Sequence, residues 1–467
     1  MLRQGRPRVT SLLAAGAVGV YLLVVVGATA ALADAVAVCS TWPFCTGSPF
    51  EAGVAVALAH RVLALLVGIT VLAAAVAAVR QHARRRVTAA ALTALVLYPV
   101  QVLVGAVVAT SGASAPFPGI HLLVGVSIFG ALVLALAWHL EAETGGADQP
   151  LSHSDPVDRV ETPDGDDTPT PSLADQPLAN RVTARAFAYF RLMKPRLMWL
   201  LCLVAAAAMA LAGGQTLRIE TIVLTLGGGV LSIGASGTFN HVFERDRDKR
   251  MSRTSDRPVA THQIPNRNAV AFGVVLAVLS LALFWQVNLL TAVLGLTAIV
   301  FYTVVYTLLL KPNTVQNTVL GGAAGALPAL IGWAAVTGDI GLPAVALAGL
   351  IFVWTPAHFY NLALAYKEDY ARGGFPMMPV VRGETTTRKH ILLWLGATLA
   401  AATALLGLTD LGWVVATATT VLGVFFLWAV IRLHREQTEQ AAFRAFHASN
   451  AYLGVVLLAI VVDALAV

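Results

Sequence analysis

Residues 240–258 read NHVFERDRDKRMSRTSDRP, and within them the oxygen-bearing side chains Asn240, Glu244 and Asp248 recur every four residues. On a continuing helix that spacing lines them along one face. Asp246 adds a carboxylate nearby. Carboxylates gathered in this way repel one another and need a cation. Hard oxygen donors suit Mg²⁺, which takes one or two carboxylates and shares its remaining positions with water and phosphate. Lys249, Arg250, Arg253 and Arg257 follow directly and can hold phosphate oxygens. A solvated, salt-bridged loop is the competing reading. Against it stands a second acidic cluster in WTPAHFYNLALAYKEDYARGGFPMMP, residues 354–379, where Glu368 and Asp369 lie between Lys367 and Arg372. Two such clusters facing an apolar cavity provide what ionisation of an allylic diphosphate requires. Cations neutralise the leaving group, and the cavity shelters the carbocation from water.

A different chemistry is written near the N-terminus. His60, in ALAHRVLALLVG, and His121, in PGIHLLVG, each fall just inside one end of a long apolar run. Ionisable residues at such depth in a membrane are functional candidates, although a lone histidine there is usually a hydrogen-bonded packing residue. Two at matched depth on helices of one bundle suggest axial ligation of a haem, with Arg61 in reach of a propionate. Cys39 and Cys45, in AVCSTWPFCTG, share one short loop. They are close enough for a disulfide or a reversible redox pair, the alternative being two free thiols. Cys202 lies within an apolar run and reads as packing.

The elements that must position these residues are membrane helices. The chain has 467 residues, of which 57% are hydrophobic and 12% charged, and its mean hydropathy is +0.75. Apolar runs of about twenty residues, the length that crosses a bilayer, recur about thirteen times. Four lie before residue 140, at roughly 11–33, 54–79, 87–109 and 118–139, and nine follow residue 195. A closed β-barrel would instead show short alternating segments, so the fold class is all-α and polytopic. Arg3, Arg6 and Arg8, the cluster Arg84 to Arg86, Lys194, the 240–258 stretch, Lys311, Lys367, Lys389 and Arg432 all fall on one side of these runs. The positive-inside rule makes that side cytoplasmic, with the N-terminus inside and the C-terminus outside a cell membrane. The net charge of +6 reflects this bias and is no argument for nucleic acid.

Between 141 and 180 the composition changes to Asp, Glu, Pro, Ser and Thr. Such a segment cannot bury enough apolar surface to offset its chain entropy and is expected to be a disordered cytoplasmic linker. It divides the sequence into a four-helix domain, 1–140, and a larger domain, 181–467.

The N-x-x-x-D/E-x-x-x-D pattern at Asn240, Glu244 and Asp248 closes a run rich in small residues (GGGVLSIGASGTFNHVFERD) and resembles the intramembrane prenyltransferase superfamily. More narrowly, YFRLMKPRLMWLL, DRDKRMSRTSDRP, LKPNTVQNTVLGGAAGALPALIGWAAVTG and WTPAHFYNLALAYKEDYARGGFPMMPVV, in that order, resemble the protoheme IX farnesyltransferase (haem O synthase) family over about 187–465. That resemblance implies a nine-helix domain that joins a farnesyl or longer prenyl diphosphate to haem B. It implies Mg²⁺ held by Asn240, Glu244, Asp248 and Asp369. Lys194, Arg253, Arg257, Lys311 and Lys367 would contact diphosphate or haem propionates, with Asp246 and Glu368 beside them. His358 would be either a hydrogen-bonded interfacial histidine or a contact for the haem. Glu244 stands where the pattern often has Asp, and the second motif is shorter than the superfamily's D-x-x-x-D. A quinone or lipid prenyltransferase shares the acidic motifs but not the longer segments.

Residues 11–139 resemble one half of the eight-helix haem A synthase family, through the cysteine loop, HR at 60–61, and Gln101, Gly105 and His121. Ala57 stands where that family often carries a glutamate. The resemblance therefore implies either a bifunctional chain whose N-terminal domain takes part in haem A formation or a haem-binding or haem-delivering module, and the half-length and Ala57 favour the module. Haem A synthase and terminal-oxidase assembly components are the further partners it implies.

Overall fold

The computed structural model describes residues 8–32, 38–111, 116–146 and 178–466; most of the acidic linker, residues 147–177, lies outside them. Among the described residues, thirteen helices are long and apolar enough to cross a membrane. They are α1 Val9–Leu32, α2 Ala52–Arg80, α3 Arg85–Ser111, α4 Phe117–Thr144, α5 Pro195–Gly213, α6 Ile219–Phe243 and α7 Asn266–Val287. Next come α8 Leu289–Val300, continued by a π-helical stretch Phe301–Leu310 and a turn Lys311–Asn313, then α9 Asn317–Thr337 and α10 Leu342–Ala365. The last three are α11 Glu384–Leu408, α12 Trp413–Glu436 and α13 Glu439–Ala466. The helices are apolar on all sides, as suits elements buried among helices and lipid. On α3, Leu92, Val96, Val100, Leu103 and Val107 form an exposed apolar stripe at three- and four-residue spacing.

The chain packs into two compact units. One holds residues 149–348 and 363–384, and so contains α5 to α9 and the second acidic cluster. Small residues on α6 allow α7 to approach closely: Ser280 donates to the Gly228 carbonyl at 2.7 Å, and Leu276 and Met193 cover Gly234. Asn288 caps α8, its side chain accepting from the Thr291 amide at 2.8 Å, and also donates to the Ala334 carbonyl of α9 at 2.8 Å. Gly338, at φ 75°, supplies the left-handed residue that ends α9.

The other unit comprises residues 1–148, 349–362 and 385–467. Its packing boundary therefore differs from the sequence division at 140 and 180. α1 packs on α2 and α4, and α3 on α2 and α4, which leaves α2 and α4 as the diagonal pair. Several contacts bind this four-helix group to α11, α12 and α13. Tyr21 meets Thr419 at 3.2 Å, and Thr419 meets Tyr452 at 3.0 Å. Glu141 pairs with Arg86 at 2.5 Å and Lys389 at 2.6 Å. Gly396 leaves room for Val133, which would lie 2.7 Å from any added Cβ.

Candidate functional site

α6 carries the first motif into its last turn. Its backbone departs from helical geometry at Glu244 (φ −92°, ψ 1°). The Glu244 and Asp248 amides nevertheless donate to the carbonyls four residues back, at 2.9 and 2.8 Å. The ladder thus crosses into the short turn Arg245–Asp248, and Asn240, Glu244 and Asp248 keep a common face. All three are buried, at 1, 3 and 0% exposure.

Each of the three meets a cation from a different part of the unit. Lys194, whose φ of 56° turns the chain into α5, donates to Asn240 Oδ1 and also to the Tyr302 hydroxyl at 3.3 Å. Lys311 reaches Glu244 Oε1 at 2.6 Å. Arg257 Nη1 donates to both Asp248 oxygens, at 2.9 and 2.8 Å. Burial pushes the Lys194 ammonium down to about 7, with Arg257 adding to the fall and Glu244 opposing it. Burial alone would raise the Glu244 carboxyl, but the Lys311 and Lys194 ammoniums outweigh it and hold the group below its ordinary value. At Asp248 burial prevails over Arg257, and the charge of Glu244 adds to the rise.

The π-helical stretch after α8 shapes this cluster. Its i→i+5 pattern places Tyr302 and Thr307 one turn apart, with Lys311 a further turn on. The Thr307 hydroxyl donates to the Tyr302 carbonyl at 2.8 Å and accepts from Asn240 Nδ2 at 3.1 Å. These bonds assign the Asn240 amide, turning its oxygen toward Lys194.

The second cluster is placed differently. Asp369 is buried, but its oxygens accept from the Ser252 amide at 3.1 Å, the Ser252 hydroxyl at 2.7 Å, the Arg253 amide at 3.0 Å and the Arg372 guanidinium. It holds the 252–253 turn in place, and these hydrogen bonds keep its carboxyl below the ordinary range although burial works to raise it. Arg253 extends over the Tyr366 ring, 4.8 Å from its centroid. Lys367 pairs with Glu384 at 3.1 Å. Glu368 and Asp246 are exposed, and Asp246 pairs with Arg245 at 3.1 Å. His358 belongs to the other unit, stacked between Trp354 and Phe446 at 4.4 Å each, with Nδ1 2.7 Å from Ser449 Oγ.

An apolar cavity runs from Lys194, Gly237 and Tyr302 between α5, α6, α8 and α9. Its far end is lined by Thr225, Phe284 and Ile331. Sequence reasoning missed this floor, together with Tyr302, Thr307 and Ser252. The irregular spacing of hydroxyls in FYTVVYTLLLK is the one sequence hint at Tyr302 and Thr307. The donor set at the mouth is all oxygen, which suits Mg²⁺ rather than a softer metal. Among the described residues, no three His, Cys, Asp or Glu side chains stand together as ligands. A metal here would rely on Asn240 and on phosphate oxygens to complete its coordination.

In the four-helix group, Cys39 and Cys45 are joined by a disulfide with Cα atoms 5.3 Å apart. Arg61 donates to the Pro43 carbonyl of that loop at 2.9 Å. The Nδ1 atoms of His60 and His121 are buried with no hydrogen-bond partner among the described residues, and Gln101 Nε2 lies 3.4 Å from His121 Nε2. Gly27 and Gly105 face the two rings; a Cβ at Gly105 would lie 2.8 Å from His121 Cε1.

Comparison with known proteins places this geometry in context. The profile of the UbiA prenyltransferase family matches residues 200–451. A protoheme IX farnesyltransferase from Haloarcula marismortui is 67% identical over 462 residues, covering 98% of each chain. One from Halobacterium salinarum is 58% identical over 475 residues, covering all of both. A protein of the same name from Nocardia farcinica is 44% identical over 290 residues, which is 61% of this chain and 93% of that one. Among solved structures, a digeranylgeranylglyceryl phosphate synthase superposes with a TM-score of 0.51 at 16% identity, covering 61% of this chain and all of that one. At that identity the likeness concerns the fold alone.

Proposed function

The chain belongs to the UbiA prenyltransferase family, and from that premise we propose that it joins a farnesyl group to a vinyl carbon of haem B, giving haem O and diphosphate. The observation that carries the reading is the buried row Asn240, Glu244 and Asp248, faced by Lys194, Lys311 and Arg257 at the mouth of an apolar cavity. The choice of haem B rests on the end-to-end likeness to the Haloarcula marismortui protein named for that substrate. A quinone or lipid acceptor lacks such support.

Mg²⁺, when bound by Asn240, Glu244 and Asp248, supplies positive charge to the leaving diphosphate. Lys194, Lys311 and Arg257 turn toward its oxygens and stabilise the charge that grows there. The C1–oxygen bond breaks with its electron pair on diphosphate, and the cavity keeps water from the allylic cation. The vinyl π pair of haem B attacks C1, water adds to the resulting cation, and one proton is lost. Asp369 acts by holding the turn that carries Arg253; a direct metal role would require it to give up those bonds. Arg253 and Lys367 contact diphosphate or propionates, with Asp246 and Glu368 exposed beside them, whereas His358 stays a hydrogen-bonded residue of the other unit. The cation-rich ends of the helices face the cytoplasm, and the C-terminus lies outside.

The unpartnered Nδ1 atoms on diagonal helices favour a second reading, in which His60 and His121 ligate a haem within the four-helix group. This group acts as a haem-binding module rather than as an oxidase of the haem methyl, given Ala57, and it fits delivery to haem A synthase or to terminal-oxidase assembly. Mass spectrometry of haems from cells expressing the full chain tests both readings. Haem O is the expected product, haem B alone would overturn the first reading, and haem A would identify a bifunctional enzyme.

A further inference from the structure

We infer that Phe284, seated between Gly228 and Gly295, sets the length of prenyl chain that the cavity admits; this rests on the cavity being the prenyl site. Along α6 the lining runs from Gly237 at the mouth toward Thr225, and Phe284 meets this helix at Gly228, nine residues or about 14 Å of helix from Gly237. An extended farnesyl chain spans roughly 14 Å and a geranylgeranyl chain roughly 19 Å on standard carbon–carbon bond lengths. The diphosphate occupies the mouth beside Lys194, so farnesyl fits above the floor and one more isoprene unit collides with it.

The floor is one ring. Phe284 is fully buried and, with Ile331, belongs both to the cavity lining and to a cluster with Ala292, Leu294 and Ala334 that fills the space beyond. Its ring lies against both glycines: a Cβ at Gly228 would stand 2.7 Å from Phe284 Cε1, and a Cβ at Gly295 would meet the opposite edge of the ring. No side chain from either position can take the ring's place if it is shortened. Beside the ring, Gly332 of α9 packs directly on the Ala205 carbonyl of α5, which closes the gap between those two helices. Truncation at 284 therefore deepens the cavity along its axis without opening its wall.

The test uses the full-length protein with Mg²⁺ and equimolar farnesyl and geranylgeranyl diphosphates. Haem products are read by mass, and binding is read with non-ionising thiolodiphosphates in the absence of haem. Wild type should prefer farnesyl. Phe284→Ala should raise the geranylgeranyl-to-farnesyl ratio by about tenfold or more in both measurements, since one pocket group discriminates by that order. Phe284→Leu should give a smaller shift and serves where the alanine variant fails to insert. Conversely, Ala298→Leu, on the cavity wall, should shift preference toward geranyl diphosphate. Equal binding of the two donors by wild type, or an unchanged ratio in inserted variants, would overturn the ruler. Absence of prenylated haem from wild type, with the donor-binding shifts intact, would overturn the haem reading and leave the ruler standing.

Discussion

Asp248 is the residue on which the buried charge cluster depends most. Its carboxylate accepts twice from Arg257 and is fully buried, so Asp248→Asn leaves a guanidinium facing a neutral amide and removes an oxygen ligand. We expect kcat to fall by about 10²-fold or more, the scale of losing one group that stabilises transition-state charge. Turnover of farnesyl diphosphate and haem B by membranes with matched protein content checks this, and near-normal turnover would refute the metal role. Thr307 acts through Asn240. Thr307→Val strips the acceptor from Asn240 Nδ2 and should raise the Mg²⁺ concentration needed for half-maximal rate by several-fold, while Thr307→Ser restores it. A kcat loss with unaltered Mg²⁺ dependence would show that Thr307 is merely packing. The row at 240, 244 and 248 was legible because a four-residue recurrence maps directly onto a helix face. Thr307 was not, since the π-helical stretch changes the period just where Tyr302, Thr307 and Lys311 must converge.

At the scale of elements, the join between the N-terminal helices and α11 to α13 makes its own prediction. Fragments 1–146 and 178–467, expressed together, should copurify in mild detergent, held by Tyr21–Thr419 and by Glu141 with Arg86 and Lys389. Glu141→Gln should weaken that association by about 1 kcal/mol, because the pairs are partly exposed and screened. The ratio of the two fragments after washing at rising salt measures it, and fragments that separate as readily as unrelated membrane proteins would disprove the join. The thirteen spans were visible in the sequence as apolar runs. Their partners were not, because lipid-facing and helix-facing residues are equally apolar in a membrane. Gly396 against Val133 reveals a contact only once the two helices are in place. The acidic composition after residue 140 marked a linker and gave no sign that the packing groups the helices before it with those at the far end of the chain.

For the molecule as a whole, the N-terminal histidines pose a question separable from catalysis. If the full-length protein holds a haem between His60 and His121, its purified form should show a low-spin, six-coordinate spectrum. His60→Ala and His121→Ala should each abolish that spectrum without stopping haem O formation. A spectrum unchanged in both variants would return the two residues to packing roles. The position of the histidines on diagonal helices was not readable from their depth alone; it emerges from which neighbours α2 and α4 share.

The pairing at the mouth of the cavity has a consequence for how substrate is received. Three cations, Lys194, Lys311 and Arg257, already face two carboxylates and one amide. With burial pushing the Lys194 ammonium down, three cations against two carboxylates leave the cluster at most one net positive charge. It is close to electroneutral at rest and works as an ion exchanger: an arriving diphosphate takes over the cations and frees the oxygens for the metal that accompanies it. A bare cationic funnel would draw anions by a long-range field that salt collapses over a Debye length of about 10 Å at 0.1 M. An exchanger of this kind trades short contacts for other short contacts, so a chain built this way would keep its grip on diphosphate in brine.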